Sequence, residues 1–511
     1  MTMVDLATPK SRLDTWLGRF TMYRLILWVL AILAVYSVVL NILGWLTFGL
    51  ADMLAHAGLC LGLTYLSGRA FAAAFRVRPH SESSLITGLL LFFLFWPSEL
   101  LPTVAWPDLA GVALACVLAS ASKYLLAFRG RHIFNPAATG AFLVSLTGLN
   151  VATWWAGTPS MLWLLVPAVA LIMYRTRKVL MACAFLLVSS SIVFSELLRA
   201  GMSPGAALWQ PFAQRPLLFF AGFMLTEPLT LPPRRWQQLA LAAVVGVVFA
   251  VPYNLGFVAN SPELALLLGN LLAFFAGQRG GIRLVFKGSR PLTPTTTELR
   301  FTARRPVRYT PGQYMELDLP HSPSDGRGRR RIFSLSSAPG SAELTFGVGT
   351  AAPLSSAKRT LLELAPGAAL RATAVAGDFV LPRDEGTPVL LIAAGIGITP
   401  FLSQLASGAA RERDIVLLYL APGAEELAGT EVLAASGARV VARLSDGSAP
   451  PEFMHDAGTV RIDASSLREL VPDIARRTVY VSGSPARVDS LRSAARRAGA
   501  RRVRVDAFAG Y

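Results

Sequence analysis

Long apolar stretches recur between Leu25 and Gly277, and they constrain this chain of 511 residues more than any other feature. Short joints with polar residues, proline or glycine separate them, and most approach the roughly 20 residues that cross a bilayer. We therefore predict a polytopic α-helical membrane domain of about ten helices. The ten stretches lie near residues 24–44, 48–66, 84–96, 107–127, 136–149, 160–174, 179–198, 214–226, 236–254 and 262–278.

The basic residues of the apolar region follow its loops. Residues 1–290 contain 21 Lys and Arg against 9 Asp and Glu, a net charge of +12, which leaves +5 of the total +17 for the rest. With ten helices, all of these basic residues except Arg199 and Arg215 fall on the side of the N-terminus. The positive-inside rule then predicts an integral protein of a bacterial-type cytoplasmic membrane with both termini in the cytoplasm. The positive charge therefore indicates how the helices are oriented in the membrane. Membrane lipid is the expected partner, and no nucleic-acid partner is expected.

Some of the ten stretches are too short to cross a bilayer, such as the one that begins at Ser84. Short spans are tolerated where they line a cavity, so they indicate a site. Asn135-Pro136 before one short helix resembles Ser261-Pro262 before another. Two similar halves of five helices would form an inverted repeat, as in many membrane proteins with a central ligand site. The alternative to an inverted repeat is that short helices beginning with proline resemble one another by chance.

The pattern changes after the apolar region. Short alternating segments with Gly and Pro turns predict a small antiparallel β-barrel, and the apolar runs that follow alternate with helix-like stretches, which predicts an α/β nucleotide-binding domain. Three widely spaced cysteines and five histidines exclude a disulfide framework, a metal site and an iron–sulfur cluster. The predicted parts are an N-terminal segment 1–23, a membrane domain 24–280, a linker 281–292, a barrel 293–384 and an α/β domain 385–511.

A flavin motif follows in the barrel region. Arg331-Ile332-Phe333-Ser334 matches the Arg-x-Tyr/Phe-Ser motif of the ferredoxin–NADP reductase family, and a barrel followed by a nucleotide-binding sheet resembles that family. The resemblance implies that Arg331 pairs with the pyrophosphate of FAD, that Phe333 stacks on the isoalloxazine, and that Ser334 hydrogen-bonds near its reactive nitrogen. A cation suits a phosphate and an aromatic face suits a ring.

Ser355 and Ser356 begin a helix-like run, and the free amides of a helix N-terminus suit the same pyrophosphate.

A second set of motifs predicts the dinucleotide site. Gly395 and Gly397, with Thr399 and Pro400 behind them, follow an apolar run at Val389, where a glycine pair lets the backbone approach a phosphate.

The family's Cys-Gly-Pro nicotinamide segment has a counterpart 85 residues later, in which Ser482 replaces the cysteine and precedes Gly483 and Pro485. The closing residues resemble the segment whose aromatic side chain covers the flavin, and both Phe508 and Tyr511 are candidates. The resemblance thus predicts an NAD(P)H-dependent flavin oxidoreductase. Glu425 and Glu426 follow the next strand where NADPH enzymes place arginine, which favours NADH and leaves NADPH as the alternative.

The membrane half resembles the B subunit of the sodium-pumping NADH:quinone reductase and the D subunit of the Rnf complex. The residues that carry this are Leu85–Gly88, Phe134–Gly140 and Met224–Thr230. Those subunits bind flavin in the membrane and carry FMN on a threonine in a Ser/Thr-Gly-Ala-Thr motif, whereas the nearest match here is Ala156-Gly157-Thr158-Pro159.

The resemblance implies two positions for a second flavin, FMN or riboflavin. One is covalent attachment at Thr158. The alternative for that segment is an ordinary loop and helix start, with Trp154 and Trp155 in an interfacial belt. The other position is a noncovalent site between the short helices. Its candidate residues are Asn135, Thr139, Thr226 and Glu227.

These features together predict a membrane flavoprotein that moves electrons from cytoplasmic NADH through FAD and membrane flavin to an acceptor in or across the membrane. The roughly 30 Å hydrocarbon layer requires an intermediate carrier. A quinone or an extracytoplasmic redox protein is expected as acceptor. Two alternatives stay open: an electron-driven Na⁺ or H⁺ translocating subunit, and a reductase that the helices merely anchor.

Overall fold

The computed structural model describes residues 17, 21–77, 79–99, 105–128, 131–254, 256, 258–277, 281–319 and 330–508. The chain divides into two compact units. Phe20–Gly280 form the helical unit, and Gly281–Tyr511, grouped with Met1–Arg19, form the sheet unit.

The helical unit is built from apolar helices of unequal length. Its helices are α1 Met22–Ile42, α2 Leu50–Ala74, α3 Ser81–Leu94, α4 Trp106–Leu125, α5 Pro136–Ser145, α6 Pro159–Thr176, α7 Val179–Arg199, α8 Pro204–Ala213, α9 Leu217–Phe219, α10 Arg235–Ala250 and α11 Pro262–Phe275. A short antiparallel pair of two-residue strands, β1 (Ala127–Phe128) and β2 (Arg131–His132), precedes α5. α9 continues as a π-helix, Phe220–Leu225.

Within the described ranges, α1, α2, α4, α6 and α7 are long and apolar enough to cross a membrane. Their outer faces carry large apolar side chains such as Trp163 and Leu187, which are 79% and 70% exposed. Such exposure is costly in water and suits lipid. The count of ten membrane-crossing helices stays a prediction, because α3, α5, α10 and α11 are shorter and the predicted stretch 214–226 is a short α-helix followed by the π-helix.

The short helices α5 and α11 begin in the same way. Asn135 Oδ1 accepts a hydrogen bond from Ala138 N at 3.1 Å, and Ser261 Oγ accepts one from Leu264 N at 3.2 Å. A proline follows each cap at the first helical position, where its missing N–H costs nothing. Small residues then allow close packing, since a Cβ on Gly140 of α5 would lie 2.4 Å from the carbonyl oxygen of Ala115 on α4.

The sheet unit begins with an antiparallel sheet. Its strands are β3 Ile282–Thr293, β4 Thr296–Ala303, β5 Tyr314–Asp318, β6 Arg330–Ser334, β7 Leu344–Gly349 and β8 Ala369–Ala376. Their order is β6-β5-β8-β3-β4-β7, and a bridge between Leu335 and Phe346 links the two end strands. Helix α12, Ser356–Leu362, lies between β7 and β8 in the chain.

The linker predicted at residues 281–292 is wrong, because β3 begins at Ile282 and pairs with β4 and β8. Buried Leu284 and Phe286 alternate with more exposed neighbours, which is the period of a strand with one face in the core. The basic residues Arg283, Lys287 and Arg290 concealed this pattern in the sequence. They lie on exposed or half-buried positions of the strand.

A parallel sheet completes the sheet unit. Its strands are β9 Val389–Ala394, β10 Ile415–Ala421, β11 Arg439–Leu444, β12 His455–Asp456, β13 Thr478–Gly483 and β14 Arg502–Ala507, in the order β12-β11-β10-β9-β13-β14. The crossing helices are α13 Thr399–Ala406, α14 Thr430–Ala435, α15 Ala464–Leu470 and α16 Pro485–Ala498. β9, β10 and β13 are buried on both faces, which explains their continuous apolar sequences.

Candidate functional site

The glycine turn after β9 contacts the end of β13. A Cβ on Gly397 would lie 2.2 Å from the carbonyl oxygen of Ser482, and a Cβ on Gly483 would lie 2.9 Å from Ala394 Cβ and 3.1 Å from the Ala394 carbonyl oxygen. Gly395 adopts φ +56° and has no neighbouring atom within 4 Å of a Cβ position. The structure therefore brings the two predicted dinucleotide motifs into contact at the carboxyl edge of the parallel sheet, where ligands of such sheets bind.

The Ser482 hydroxyl at this edge has no hydrogen-bond partner among the described residues. The Ser482 side chain is 0% exposed. Buried hydroxyls are nearly always paired, so an unpaired one at the carboxyl edge of this sheet suits a bound ligand. Phe508 lies beside it, because the Phe508 N–H donates to the Gly483 carbonyl at 2.9 Å. Tyr511, the other aromatic candidate, lies outside the described residues.

Helix α13 connects the glycine turn to the antiparallel sheet. Thr399 Oγ1 donates to the Ile396 carbonyl at 3.0 Å, and Pro400 follows within the buried first turn of the helix. One turn later, Ser403 Oγ donates to the carbonyl of Ser337 at 2.6 Å, three residues after the flavin motif. This hydrogen bond joins the helix that follows the dinucleotide motif to the segment that follows the flavin motif.

The flavin motif lies on β6. Arg331 and Phe333 are 1% and 7% exposed and share one side of the strand, whereas Ser334 is buried on the other. The Phe333 ring packs on Phe346 with centroids 6.3 Å apart, within the core of the antiparallel sheet. Its stacking on an isoalloxazine stays a prediction.

The two predicted serines begin α12. Ser355 Oγ caps the helix by accepting from Lys358 N at 3.3 Å, and Ser356 Oγ is buried with no hydrogen-bond partner among the described residues. A Cβ on Gly349 would lie 3.6 Å from Ile396 Cδ1 and 3.7 Å from Lys358 Nζ. Gly349 therefore lies close to both the first turn of α12 and the glycine turn.

The two predicted ribose carboxylates differ in their surroundings. Glu426 Oε2 accepts hydrogen bonds from Thr293 Oγ1 at 2.8 Å and Thr295 Oγ1 at 2.7 Å, so it ties its loop to the β3–β4 turn. Glu425 is exposed.

Sequence analysis missed Asp446, whose Oδ2 would lie 2.2 Å from a Cβ on Gly423 at the same edge. Hydrogen bonds from the N–H and hydroxyl of Ser448 lower the pKa of Asp446. The turn sequence Ser445-Asp446-Gly447-Ser448, which follows β11, could have indicated this carboxylate in the sequence.

Several known proteins are similar in sequence to part of this chain. No protein-family model matches the chain. The ferredoxin–NAD⁺ reductase component of an alkene monooxygenase system from Xanthobacter autotrophicus is 33% identical over 241 residues, which are 45% of this chain and 69% of that protein. The chain belongs to the ferredoxin–NAD(P)⁺ reductase family. Ferredoxin–NADP reductase B of Sorangium cellulosum is 30% identical over 207 residues, 39% of this chain and 80% of that protein.

These relatives confirm the enzyme class predicted from the sequence, an NAD(P)H-dependent flavin oxidoreductase. An NADPH oxidoreductase of Mycobacterium tuberculosis is 32% identical over 182 residues, and the chain covers only 45% of its length. The FAD/NAD-binding domain of a nitric oxide dioxygenase from Vibrio cholerae is 22% identical with a TM-score of 0.38, covering 45% of this chain and 99% of that one. The resemblance of the helical unit to membrane flavoprotein subunits stays a prediction.

The helical unit contains a narrow cavity at the N-terminal ends of α1 and α3, which we call the inner cavity. Asn135, Thr226 and Glu227 line it together with Thr87. Glu227 accepts from Asn135 Nδ2 at 2.9 Å and contacts His132 Nε2 at 3.0 Å.

The fourth candidate, Thr139, is not among the described residues that line the inner cavity. Its Oγ1 donates to the Asn135 carbonyl at 2.8 Å, within α5. Asn135, Thr226 and Glu227 are therefore the predicted residues that the structure brings together.

Thr158 lines a second and wider cavity, which we call the outer cavity. Thr158 occupies the N-cap of α6 but makes no capping bond, and its Oγ1 lies 3.5 Å from Ser160 Oγ. The interfacial belt considered for Trp154 and Trp155 is wrong, because both are buried. Their indole N–H groups donate to Glu263 Oε1 at 2.6 Å and to the Phe92 carbonyl at 2.7 Å.

Sequence analysis also missed the aromatic wall of the outer cavity. Trp45, Phe48 and Trp96 line it with Trp155. Phe48 makes edge contacts with Trp96 and Trp155, each with centroids 5.1 Å apart. Trp45 and Phe48 lie at one joint between predicted helices, and Trp96 and Trp155 lie at or near the ends of others. This position near helix ends was the only signal that they meet.

Proposed function

We propose that the chain is an integral membrane flavoprotein that oxidises NADH at FAD in the sheet unit and delivers single electrons through the helical unit to a quinone or an extracytoplasmic redox protein. The observation that carries the membrane part is the pair of cavities at opposite ends of the same helices. Simple anchoring requires neither. In this proposal the helical unit has ten membrane helices in an inverted repeat, and both termini are cytoplasmic.

The sheet unit supplies the binding groups for FAD and NADH. When bound, FAD accepts a hydride from NADH and releases the two electrons one at a time. Arg331 binds the pyrophosphate, which Ser356 Oγ and the start of α12 complete. Ser334 orients the ring edge, Phe333 and Phe508 or Tyr511 cover its faces, and the six-stranded sheet closes as a barrel. The orphan hydroxyl of Ser356 supports this fit.

NADH binds along the carboxyl edge of the parallel sheet. The backbone of Gly395 and Gly397 approaches its phosphates, and Thr399 and Pro400 hold the turn in place. Gly483 and Pro485 position the nicotinamide, with Ser482 Oγ within the hydride path. The contact between the two glycine segments supports this assignment.

Ser482→Ala is expected to slow hydride transfer without destabilising the protein. A buried hydroxyl without a partner loses its hydrogen bonds to water on folding, and the alanine variant avoids this cost. The free energy of unfolding therefore stays equal or rises by about 1 kcal/mol. One hydrogen bond of about 1 kcal/mol in the transition state corresponds to roughly five- to tenfold in rate. Stopped-flow reduction of FAD by NADH, beside thermal unfolding, measures both. A destabilised variant with a normal rate would show a purely structural serine.

Glu425→Arg is expected to improve the use of NADPH relative to NADH. The exposed carboxylate repels a ribose phosphate, and an exposed charge pair changes binding by 1 kcal/mol or less, so the ratio of kcat/KM values shifts about two- to fivefold. Glu412→Arg is the matched control, since Glu412 is also exposed but precedes β10 at the opposite edge. Equal shifts in both variants would contradict the assignment.

The helical unit holds a second flavin, FMN or riboflavin, which carries electrons singly when bound. Asn135, Thr226 and Glu227 offer hydrogen-bonding groups beside apolar side chains in the inner cavity, as an amphipathic ring requires. Thr158 is the covalent attachment point in the outer cavity. A threonine at an N-cap normally caps its helix, whereas Thr158 makes no capping bond and lines a cavity with aromatic walls, which supports this role.

Thr158→Ala is expected to remove covalently bound flavin. The wild-type band on a denaturing gel should fluoresce, and the variant band should be dark because no other attachment oxygen replaces Oγ1. Ser160→Ala is the control, since its hydroxyl lies 3.5 Å away in the same cavity. A label that survives in Thr158→Ala and disappears in Ser160→Ala would reassign the site.

Proteoliposomes test the function as a whole. NADH is added outside vesicles that contain trapped ferricyanide, and the loss of ferricyanide absorbance is followed. We expect NADH-dependent reduction of the trapped acceptor by the full chain. Rapid NADH oxidation with external ferricyanide but none with the trapped acceptor would leave only an anchored reductase.

A further inference from the structure

The inner and outer cavities lie at opposite ends of the same three helices. Tyr23, Ser83 and Thr176 of the inner cavity belong to the first or last turns of α1, α3 and α6. Trp45, Trp96 and Thr158 of the outer cavity flank the other ends of those helices. α1 has 21 residues and is therefore about 31 Å long. Neither cavity reaches the other, so apolar protein fills the space between them.

A row of aromatic side chains occupies part of that space. Trp155 lines the outer cavity and contacts Phe93, with ring centroids 5.1 Å apart. Phe93 contacts Phe219 at 5.4 Å, and Phe219 contacts Phe223 at 5.1 Å. Phe223 lines the inner cavity. We call these four residues the aromatic row, and it connects one cavity to the other without a gap between rings.

The aromatic row is buried and fixed in place. Phe93 and Phe219 are 0% exposed, Trp155 is 3% exposed and Phe223 is 4% exposed. The Trp155 indole is held by its hydrogen bond to the Phe92 carbonyl. The π-helix places Phe223 one turn after Phe219, and π-helical turns are rare and frequent at functional sites. A Cβ on Gly222 would lie 2.6 Å from Val169 Cγ2, so this turn packs tightly on α6.

We propose that the aromatic row is the route by which single electrons cross between the cavities. This inference rests on the proposed function, which supplies the redox groups. A flavin bound at the inner cavity would supply the electrons, and a flavin or quinone ring bound at the outer cavity would accept them. Each transfer would move one electron, and no bond in the row would form or break. The Glu227 carboxylate, which lines the inner cavity, would accept the proton released there.

Closely packed π-systems favour this passage, because electron tunnelling weakens steeply across gaps and less steeply through rings in contact. A second aromatic group in the same unit serves as an internal comparison. Phe185 stacks on Phe220 with centroids 5.0 Å apart and is also fully buried, but it lines neither cavity. The aromatic row and Phe185 are thus similarly buried, but only the row extends from one cavity to the other.

Phe219→Leu and Trp155→Leu test the route in the full chain, and Phe185→Leu is the matched control. Leucine fills most of the volume, so the comparison removes the ring and keeps the core. We expect both row variants to lose most of the NADH-dependent reduction of ferricyanide trapped in proteoliposomes. Trp155→Phe restores a ring and should keep most of the rate.

Two further readouts separate the route from a structural defect. Single-turnover absorbance with NADH should show normal reduction of FAD and of the inner flavin in the row variants. Their flavin content and melting temperature should equal those of Phe185→Leu. Row variants that reduce trapped ferricyanide as fast as Phe185→Leu would overturn the route and leave the proposed function standing. A wild-type protein that reduces none of it would overturn both.

Discussion

Gly397→Ala is expected to abolish most NADH oxidation while FAD stays bound. The added Cβ would lie 2.2 Å from the Ser482 carbonyl oxygen and 2.7 Å from the Gly483 N, and both are backbone atoms that move only with their strand. The glycine turn and the end of β13 must separate, which displaces the nicotinamide from the flavin. A misplacement of about 1 Å costs roughly a hundredfold in rate, so we expect a loss of that order in kcat/KM for NADH.

The measurement combines steady-state kinetics with flavin content. Gly386→Ala is the control, because Gly386 is exposed and the nearest atom to its Cβ would be an Asp384 oxygen at 3.4 Å. The control should keep its activity, and both variants should keep FAD. A Gly397→Ala enzyme with normal kcat/KM would mean that the contact between the two motifs does not position the nicotinamide.

Arg331→Ala is expected to lose FAD. Arg331 begins the flavin motif on β6 and is almost completely buried. A guanidinium that pairs with a pyrophosphate makes charge-assisted hydrogen bonds, each worth about 1.5–3 kcal/mol. FAD binding should therefore weaken about 10- to 100-fold. Arg331→Lys should recover part of the affinity, because it keeps the charge but lacks the planar fork.

Arg330→Ala controls for the loss of a basic residue on the same strand. Arg330 is half-buried at the neighbouring position, so its side chain points to the opposite side of β6. Flavin content after gel filtration, together with a dissociation constant from flavin fluorescence, gives the affinities. Equal FAD retention in both alanine variants would contradict the predicted role of Arg331.

The contact between the two predicted dinucleotide motifs was predictable because their signals are local and their meeting point follows from topology. Gly395 and Gly397 follow one buried strand, and Ser482 and Gly483 end another. The carboxyl ends of parallel strands share an edge, so two motifs 85 residues apart in the sequence meet. The choice between Glu425 and Glu426 was not predictable, since it depends on Thr293 and Thr295 in a distant turn.

The helical unit was predictable in part. Hydropathy located the five long apolar helices, but it missed α8, and the π-helix at Phe220–Leu225 carries no distinctive sequence pattern. The walls of the outer cavity come from three separate joints, at Trp45, Trp96 and Thr158. Their meeting depends on how α1, α3 and α6 pack, and no spacing in the sequence encodes it. For the same reason the sequence predicted Thr139 as a cavity residue, whereas its hydroxyl bonds within α5.

Flavin analysis of the purified full-length protein tests the central claim, a redox chain that continues from the sheet unit into the helical unit. Acid extraction with chromatography identifies the released flavins, and fluorescence of the denatured chain detects a covalent one. We predict FAD together with at least one further flavin, FMN or riboflavin, in equal amount. FAD alone, with no other flavin released or attached, would contradict the claim.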